Sequence, residues 1–336
     1  MTGGQRPAKL GFGGAAIGNL YRPVGEEAAR ATIDAAWDRG IRAFDTAPHY
    51  GFGLSERRLG DALAERDPDG TAFVSTKVGR VLQPVPDRDL GRERQGFVSP
   101  EPVESAFDYS RDGVLRSFDA SLRRLRRDRI DLLLAHDLGA MTHGADAGAQ
   151  MATFLDGGYP AMRALREAGV TGAIGIGVNE IAVCEELLDQ IELDAILLAG
   201  RYTLLEQGAL DSLLPRCQAM GVRLILGGPY NSGILATGTG GNARYNYDAA
   251  PATIVRRVDA IAAICARHAV PMAAAALQFA MAHPAVDTVI PGMADAEEVT
   301  QSLALAALPL PPALWHDLID AGLVRADAPV PSSETA

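Results

Sequence analysis

Eight short apolar runs alternate with eight longer segments of helical period along nearly the whole of this 336-residue chain. The runs fall at residues 9–13, 41–46, 72–77, 130–136, 172–178, 195–201, 222–227 and 286–291. The helical segments fall at 26–39, 55–65, 113–127, 159–168, 181–190, 207–220, 253–268 and 294–306. Several runs are continuously apolar, as Leu132-Leu133-Leu134-Ala135 is, and a strand without polar alternation is buried on both faces. Gly40 stands where the first helix should end, directly before the second strand. No sequence module repeats, and no Pro/Gly-rich linker divides the chain. The expected fold is therefore a single-domain α/β protein, a closed parallel (β/α)8 barrel over residues 1–327, with 328–336 as a flexible tail.

Two connections are long. Residues 79–112 are rich in Pro and Arg with few apolar anchors, and 228–252 are rich in Gly, Asn and Tyr. Both follow strands, so both belong to the C-terminal face, where barrels build their sites.

Composition narrows the partners. A hydrophobic content of 48% over this length gives a core that needs neither disulfides nor metal. The net charge of −11 repels phosphate backbones and anionic lipid, so neither nucleic acid nor membrane is expected as a partner. The basic run Arg123-Arg124-Leu125-Arg126-Arg127 reads as the solvated face of a helix. Cys184, Cys217 and Cys265 are spaced for neither a zinc knot nor a redox pair, and so sparse and odd a count suits a reducing cytoplasm. His49, His143, His268, His283 and His316 form no i, i+4 pair, so no metal is expected. Residues 1–9 hold no apolar signal core, and no run reaches 18 apolar residues. No long exposed apolar helix face stands out, which favours a monomer or weak homodimer.

Chemistry concentrates at three consecutive strand ends. The second run closes Phe44-Asp45-Thr46-Ala47-Pro48-His49-Tyr50, the third Ser75-Thr76-Lys77, the fourth Leu134-Ala135-His136. Among 31 Lys and Arg residues only Lys9 and Lys77 are lysines. A lysine inside an apolar strand is thus a choice of a compact ammonium over a guanidinium. A buried Lys77 needs a counter-charge, which Asp45 can supply. An ammonium beside a phenol favours the phenolate, so Tyr50 would titrate below its free value of about 10 and carry a proton near neutral pH. His136 can hydrogen-bond and orient the reacting oxygen. His49, beside Tyr50, is a candidate substrate contact; Trp315 is another, or else packs the C-terminal segment onto the barrel. The glycines of Gly11-Phe12-Gly13-Gly14-Ala15-Ala16 resemble a loose dinucleotide fingerprint. Gly18, Pro23 and Gly25 delay the helix that such a fingerprint requires, so a Rossmann unit is set aside.

Asp45, Tyr50, Lys77 and His136, in this order and each at the right strand end, resemble the catalytic tetrad of the aldo-keto reductases. The resemblance extends over most of the chain, through Asn179, Ser232-Gly233 and Ile290-Pro291-Gly292. The segments Leu10–Gly14, Gly18–Tyr21, Phe107–Ser110 and Gly200–Leu205 resemble a bacterial subgroup of that family. Its members oxidise aldoses such as L-fucose, D-arabinose or L-galactose, and it also contains pyridoxal 4-dehydrogenase. The resemblance implies an NAD(P)-dependent oxidoreductase with its cofactor across the barrel mouth. Gly14, Ala15 and Asp45 would lie at the nicotinamide and Asn179 on its carboxamide. Tyr230, Asn231, Ser232 and Gly233 would wrap the pyrophosphate. Pro291, Gly292, Met293, Glu298 and Ser302 would lie toward the adenosine, and Asn19, His49, Tyr50, His136 and Trp315 would meet the substrate. Two positions depart from the family pattern. The usual stacking aromatic is replaced by Gly227 or Gly228, with Tyr230 a shifted substitute. The arginine that commonly holds a 2′-phosphate is replaced by Glu298, which favours NAD over NADP. The expected reaction is oxidation of a sugar hemiacetal to its lactone. The alternatives are pyridoxal oxidation, NADPH-dependent aldehyde reduction, and a non-catalytic nicotinamide-binding sensor.

Overall fold

The computed structural model describes residues 9–331, apart from 87–89, 242 and 247. Eight parallel strands form the central sheet: β1 (Phe12–Gly13), β2 (Ala43–Asp45), β3 (Phe73–Val78), β4 (Ile130–His136), β5 (Thr171–Val178), β6 (Ala195–Ala199), β7 (Arg223–Gly227) and β8 (Val286–Ile290). Each strand pairs with its neighbours in chain order. The ring closes where Leu10 bridges Val289 and Gly13 bridges Gly292, both in parallel. This is the (β/α)8 barrel that the alternation implies. The first run is shorter as regular strand than expected, because before Phe12 it pairs with β8 through the isolated Leu10 bridge, made by Val289 N–H to the Lys9 carbonyl (2.7 Å) and Gly11 N–H to the Val289 carbonyl (2.9 Å).

Strand alternation divides the core in two. Leu132, Leu134, Ala173, Ala195, Leu197, Ile225 and Ile290 fill the barrel interior. Phe44, Val74, Val78, Leu133, Ile174, Ile176 and Leu198 point outward into the layer beneath the helices. The helices flanking the early strands are α1 (Glu26–Asp38), α2 (Leu54–Arg66) and α3 (Arg111–Leu125). Ser110 caps α3, its hydroxyl accepting from Gly113 N–H at 3.1 Å.

Several expectations are corrected. Residues 79–112 are not an irregular loop: Arg80–Pro84 pairs antiparallel with Val103–Phe107, and Glu93–Arg94 with Phe97–Val98. Phe97 is their apolar anchor, only 3% exposed. The 228–252 connection holds a short helix, Ile234–Thr237, and a hairpin pairing Arg244–Tyr245 with Asp248–Ala249. Helices at Ala147–Thr153, Met272–Ala282 and Pro312–Asp320 escape the periodic pattern. The basic run is a solvated face only in part: Arg123 and Arg126 are exposed, while Arg124 and Arg127 are half-buried. Arg124 pairs with fully buried Glu56 at 2.6 Å, Arg127 with Asp67 at 2.7 Å and Arg126 with Asp61 at 2.7 Å, which ties α3 and the turn after it to α2 and the turn that follows it. Residues 328–330 are not part of a free tail. Ala328 is buried and Val330 packs on the core, while residues 332–336 lie outside the described residues. No single helix among the described residues is long and apolar enough to cross a membrane.

Candidate active site

On β3, Phe73, Ser75 and Lys77 share one face, and that face is the barrel interior, where Phe73 packs against the inner apolar cluster. The same alternation turns Asp45 inward on β2 and His136 inward on β4. Lys77 has space because β5 carries glycine opposite it: a Cβ at Gly177 would stand 3.3 Å from Lys77 Cε. Tyr50 follows β2 on a turn that Gly18 lets approach closely, since a Cβ at Gly18 would meet the Tyr50 carbonyl carbon at 2.7 Å.

Lys77 Nζ donates to Asp45 Oδ2 (2.7 Å), to the Thr46 carbonyl (2.9 Å) and to Tyr50 Oη (3.0 Å). An ammonium has three protons, and all three are used. Asp45 accepts a further bond from Ser75 Oγ at 2.7 Å. Burial works against the Lys77 ammonium, but the Asp45 carboxylate and the Tyr50 oxygen outweigh it and hold its pKa above the ordinary lysine value. Burial also pulls Asp45 upward, against Lys77 and Ser75. Lys77 donating to one carboxylate oxygen and Ser75 to the other favour the ionised pair at neutral pH.

His136 lies edge-on to Tyr50, with ring centroids 5.9 Å apart. Burial, then Arg80, Lys77 and His49, hold its imidazole far below the usual histidine range, so it is neutral. His49 is held down in the same way by burial, Arg80 and Lys77. Phe97 lies roughly parallel to Tyr50, with centroids at 6.1 Å and an interplanar angle of 30°.

These groups floor a cavity of about 500 Å³ at the C-terminal face. Its walls add Ala15, Arg80, Glu93, Gln95, Asp137, Asn179, Arg244 and Asn246. Arg80, Phe97, Tyr109 and Asp137 were not singled out from the sequence. Tyr109 Oη lies 2.6 Å from the His136 carbonyl and 2.7 Å from that of Asp137, so it braces the end of β4. The readable signal was local: Arg80 is three residues beyond Lys77, and Asp137 directly follows His136.

The cavity fits a nicotinamide. Asn179 lines it, and no described residue bonds the Asn179 side-chain amide. A Cβ at Gly227 would come within 3.2 Å of Leu197 and 3.5 Å of Ala199, both on the cavity wall, so glycine there keeps that wall flat.

Other expected contacts lie elsewhere. Asn19 does not face the cavity. Its Oδ1 accepts from Val24 N–H (3.0 Å) and Arg58 (2.9 Å), and its Nδ2 donates to the Val98 carbonyl (2.9 Å), so its amide is spent inside the protein. Trp315 is not a pocket residue either: it is 1% exposed, on the helix Pro312–Asp320, and packs on Phe279. Tyr230 is half-buried against the core and is not among the residues that line this cavity. Asn231 accepts from Thr203 (2.6 Å) and donates to the Gly200 carbonyl (3.0 Å), bracing the strand ends. Ser232 and Gly233 follow in the same turn, both at positive φ. Gly14 sits against Asp45, donating to its carbonyl at 2.8 Å. Pro291 and Gly292 lie where β8 meets β1, with the Pro291 carbonyl accepting from Gly13 N–H at 3.0 Å. Met293 is fully buried and Ser302 is 7% exposed, which leaves Met293 no side-chain contact to offer at the mouth. Glu298 accepts from Ala294 N–H at 2.7 Å and lies 3.4 Å from Arg22. No cluster of three metal-ligating side chains occurs among the described residues.

The aldo/keto reductase family model matches residues 9–321. The chain belongs to the aldo/keto reductase family. It is 40% identical over 326 residues to pyridoxal 4-dehydrogenase of Microbacterium luteolum, covering 94% of each chain. It is also 40% identical over 318 residues to D-threo-aldose 1-dehydrogenase of a Pseudomonas species, again covering 94% of each. L-galactose dehydrogenase of Arabidopsis thaliana is 28% identical over 90% of this chain and 85% of its own. In fold, the aldo-keto reductase AKR11C1 from Bacillus halodurans superposes with a TM-score of 0.70 at 24% identity, covering 98% of this chain and 96% of the other. This aldo/keto reductase is therefore an NAD(P)-dependent oxidoreductase, which removes the sensor reading.

Proposed function

We propose that this aldo/keto reductase oxidises the C1 hemiacetal of an aldose of the L-fucose, D-arabinose or L-galactose type to its lactone, with NAD as acceptor. The observation that carries the reading is the Asp45–Lys77–Tyr50 chain at the floor of a cavity with polar walls. Bound nicotinamide supplies the hydride acceptor; Asn179 and the flat wall at Leu197 and Ala199 would hold it. Lys77 holds the Tyr50 oxygen as a phenolate, and Asp45 keeps Lys77 charged and in place. Tyr50 then takes the proton of the anomeric hydroxyl, while neutral His136 orients that oxygen. Glu93, Asp137, Arg244 and Asn246 bring to the walls the kinds of polar group that a polyol needs. The Glu298 carboxylate would repel a 2′-phosphate and accept from a free 2′-hydroxyl, which supports NAD. Three free, buried cysteines suit a reducing cytoplasm. Among the described residues the large exposed apolar side chains are Phe107, Met141 and Met220, too few for an extensive interface, so a monomer or weak homodimer is expected in size-exclusion chromatography.

Mixing the protein with NAD and L-fucose and following the reduced-nicotinamide absorbance tests the reading; no turnover with any aldose sinks it. Tyr50→Phe should lose about 10²–10⁴-fold in kcat while folding normally. One observation favours a second substrate. Phe97 beside Tyr50 makes a flat apolar face that would take the ring of pyridoxal. A kcat/KM for pyridoxal exceeding that for every aldose, measured with NAD and NADP, would transfer the assignment.

A further inference from the structure

No strong hydrogen bond holds the His136 ring. Its Nδ1 is buried with no partner among the described residues, and its Nε2 comes only within 3.4 Å of Asp137 Oδ2. A histidine that orients a reacting oxygen ordinarily has its other nitrogen fixed by a partner. Here the aim of the ring rests on packing and on its backbone, and that backbone is held. Tyr109, 1% exposed, directs Oη at the His136 carbonyl (2.6 Å) and at the Asp137 carbonyl (2.7 Å). Burial, then the Asp137 charge, hold this phenol above its usual range, so it keeps its proton and donates. One proton cannot serve two carbonyls in full. His143 supplies a second, its Nε2 lying 2.8 Å from the Asp137 carbonyl and 3.0 Å from Tyr109 Oη. A carbonyl has no proton to give, so the hydrogen of that contact sits on His143 Nε2. Both ends of the brace are fixed. The Tyr109 ring lies on Gly79, two residues beyond Lys77, where a Cβ would stand 2.3 Å from Tyr109 Cε1. The His143 ring packs edge-on against Phe107, with centroids 4.4 Å apart. Between them Asp137 leaves β4 at φ 54°, a left-handed conformation that is costly for a residue with a side chain.

We propose that Tyr109 and His143 are positioning residues that lock the His136–Asp137 peptide and so aim the His136 imidazole at the reacting oxygen. The proposal rests on the role given to His136 above. Neither residue lines the cavity, so both act through the main chain from behind it. A displaced ring weakens the transition state more than the bound substrate, so their loss lowers kcat and leaves KM.

The test compares Tyr109→Phe, His143→Leu, His143→Gln and His136→Gln, with NAD and whichever of L-fucose and pyridoxal is turned over faster. Tyr109→Phe and His143→Leu should each lose about tenfold in kcat, the effect of misplacing a reacting group by a fraction of an ångström, with KM nearly unchanged. His143→Gln, whose amide can put an N–H where His143 Nε2 stands, should keep most of the activity. Ring 15N NMR of the labelled protein without substrate is the second readout, with His136 assigned by the signals lost in His136→Gln. Those signals should move in Tyr109→Phe and in His143→Leu and stay in place in His143→Gln. Wild-type kcat in Tyr109→Phe overturns the proposal, and so do unmoved His136 signals. A loss that shows only as a raised KM or a lowered Tm overturns it as well, as does His143→Gln falling as far as His143→Leu. Full kcat in His136→Gln overturns it from beneath, by removing the role of His136. The spectrum needs no substrate, so that failure is read separately from failure of the brace.

Discussion

Lys77 is placed so that each of its protons has one destination, and this explains why the position is not arginine in a chain that otherwise uses arginine almost throughout. A point-like ammonium can reach an Asp45 oxygen, a carbonyl and the Tyr50 oxygen together, whereas a planar fork would have to fill the space that Gly177 leaves against Lys77 Cε. The pair is also a liability. Lys77→Met strands the Asp45 carboxylate, which is 3% exposed, and should destabilise the protein by about 3–5 kcal/mol in urea unfolding as well as abolish turnover. Lys77→Met with Asp45→Asn should recover most of that stability and none of the activity. A single variant as stable as wild type would mean that the carboxylate is not ionised in the fold. These inner residues were readable because strand alternation alone decides which way they point. Asn19 and Trp315 were not, for reasons that lie beyond the local sequence. Asn19 sits at φ 68° in a turn whose amide is drawn inward by Arg58, and Trp315 faces Phe279, a residue of a distant helix.

At the scale of elements, the eight strands and most of the helices were legible from their apolar period, because each packs one stripe against the barrel. The exceptions follow from the same physics. Met272–Ala282 is apolar on nearly every side and buried, so it has no stripe to read. The hairpins within 79–112 are held by the anchor Phe97, by the Leu20–Phe97 bridge and by Arg94 donating to the Val103, Ser99 and Glu101 carbonyls. These are contacts to segments that local pattern does not connect. The seam between α2 and α3 gives a test of packing against propensity. Gly60 lies within α2, where alanine would ordinarily be worth about 1 kcal/mol of helix stability. A Cβ there would stand 2.2 Å from the Arg124 carbonyl oxygen and 2.7 Å from Leu125 Cα, and backbone does not move aside cheaply. Gly60→Ala should therefore destabilise by about 1–3 kcal/mol, seen as a lowered Tm with no change in KM. A raised Tm would show that the helices can part without loss.

For the whole molecule, the cost of gathering Lys77, Arg80, His49 and His136 around one cavity is that the two imidazoles are kept neutral by burial and neighbouring positive charge. A histidine whose folded pKa is depressed contributes its full share to stability above its unfolded pKa of about 6.5. As the pH falls below that value, the unfolded chain takes up protons that the folded chain refuses, and stability declines by up to about 1.4 kcal/mol per pH unit for each such group. His283, lowered by burial and Lys9, adds in the same direction. The carboxylates held low by arginine partners, Glu26 and Asp34 among them, keep their contribution to stability until the pH falls into the ordinary carboxylate range of about 4–4.5. The interval from pH 6.5 to 5 thus belongs to the histidines. Urea unfolding across it should lose about 3 kcal/mol for His49 and His136 together, and a His49→Gln, His136→Gln variant should flatten the decline. Equal stability at pH 6.5 and 5 in the native protein would mean that the cavity accepts a protonated imidazole. The neutral His136 that orients the substrate oxygen would then have no electrostatic basis.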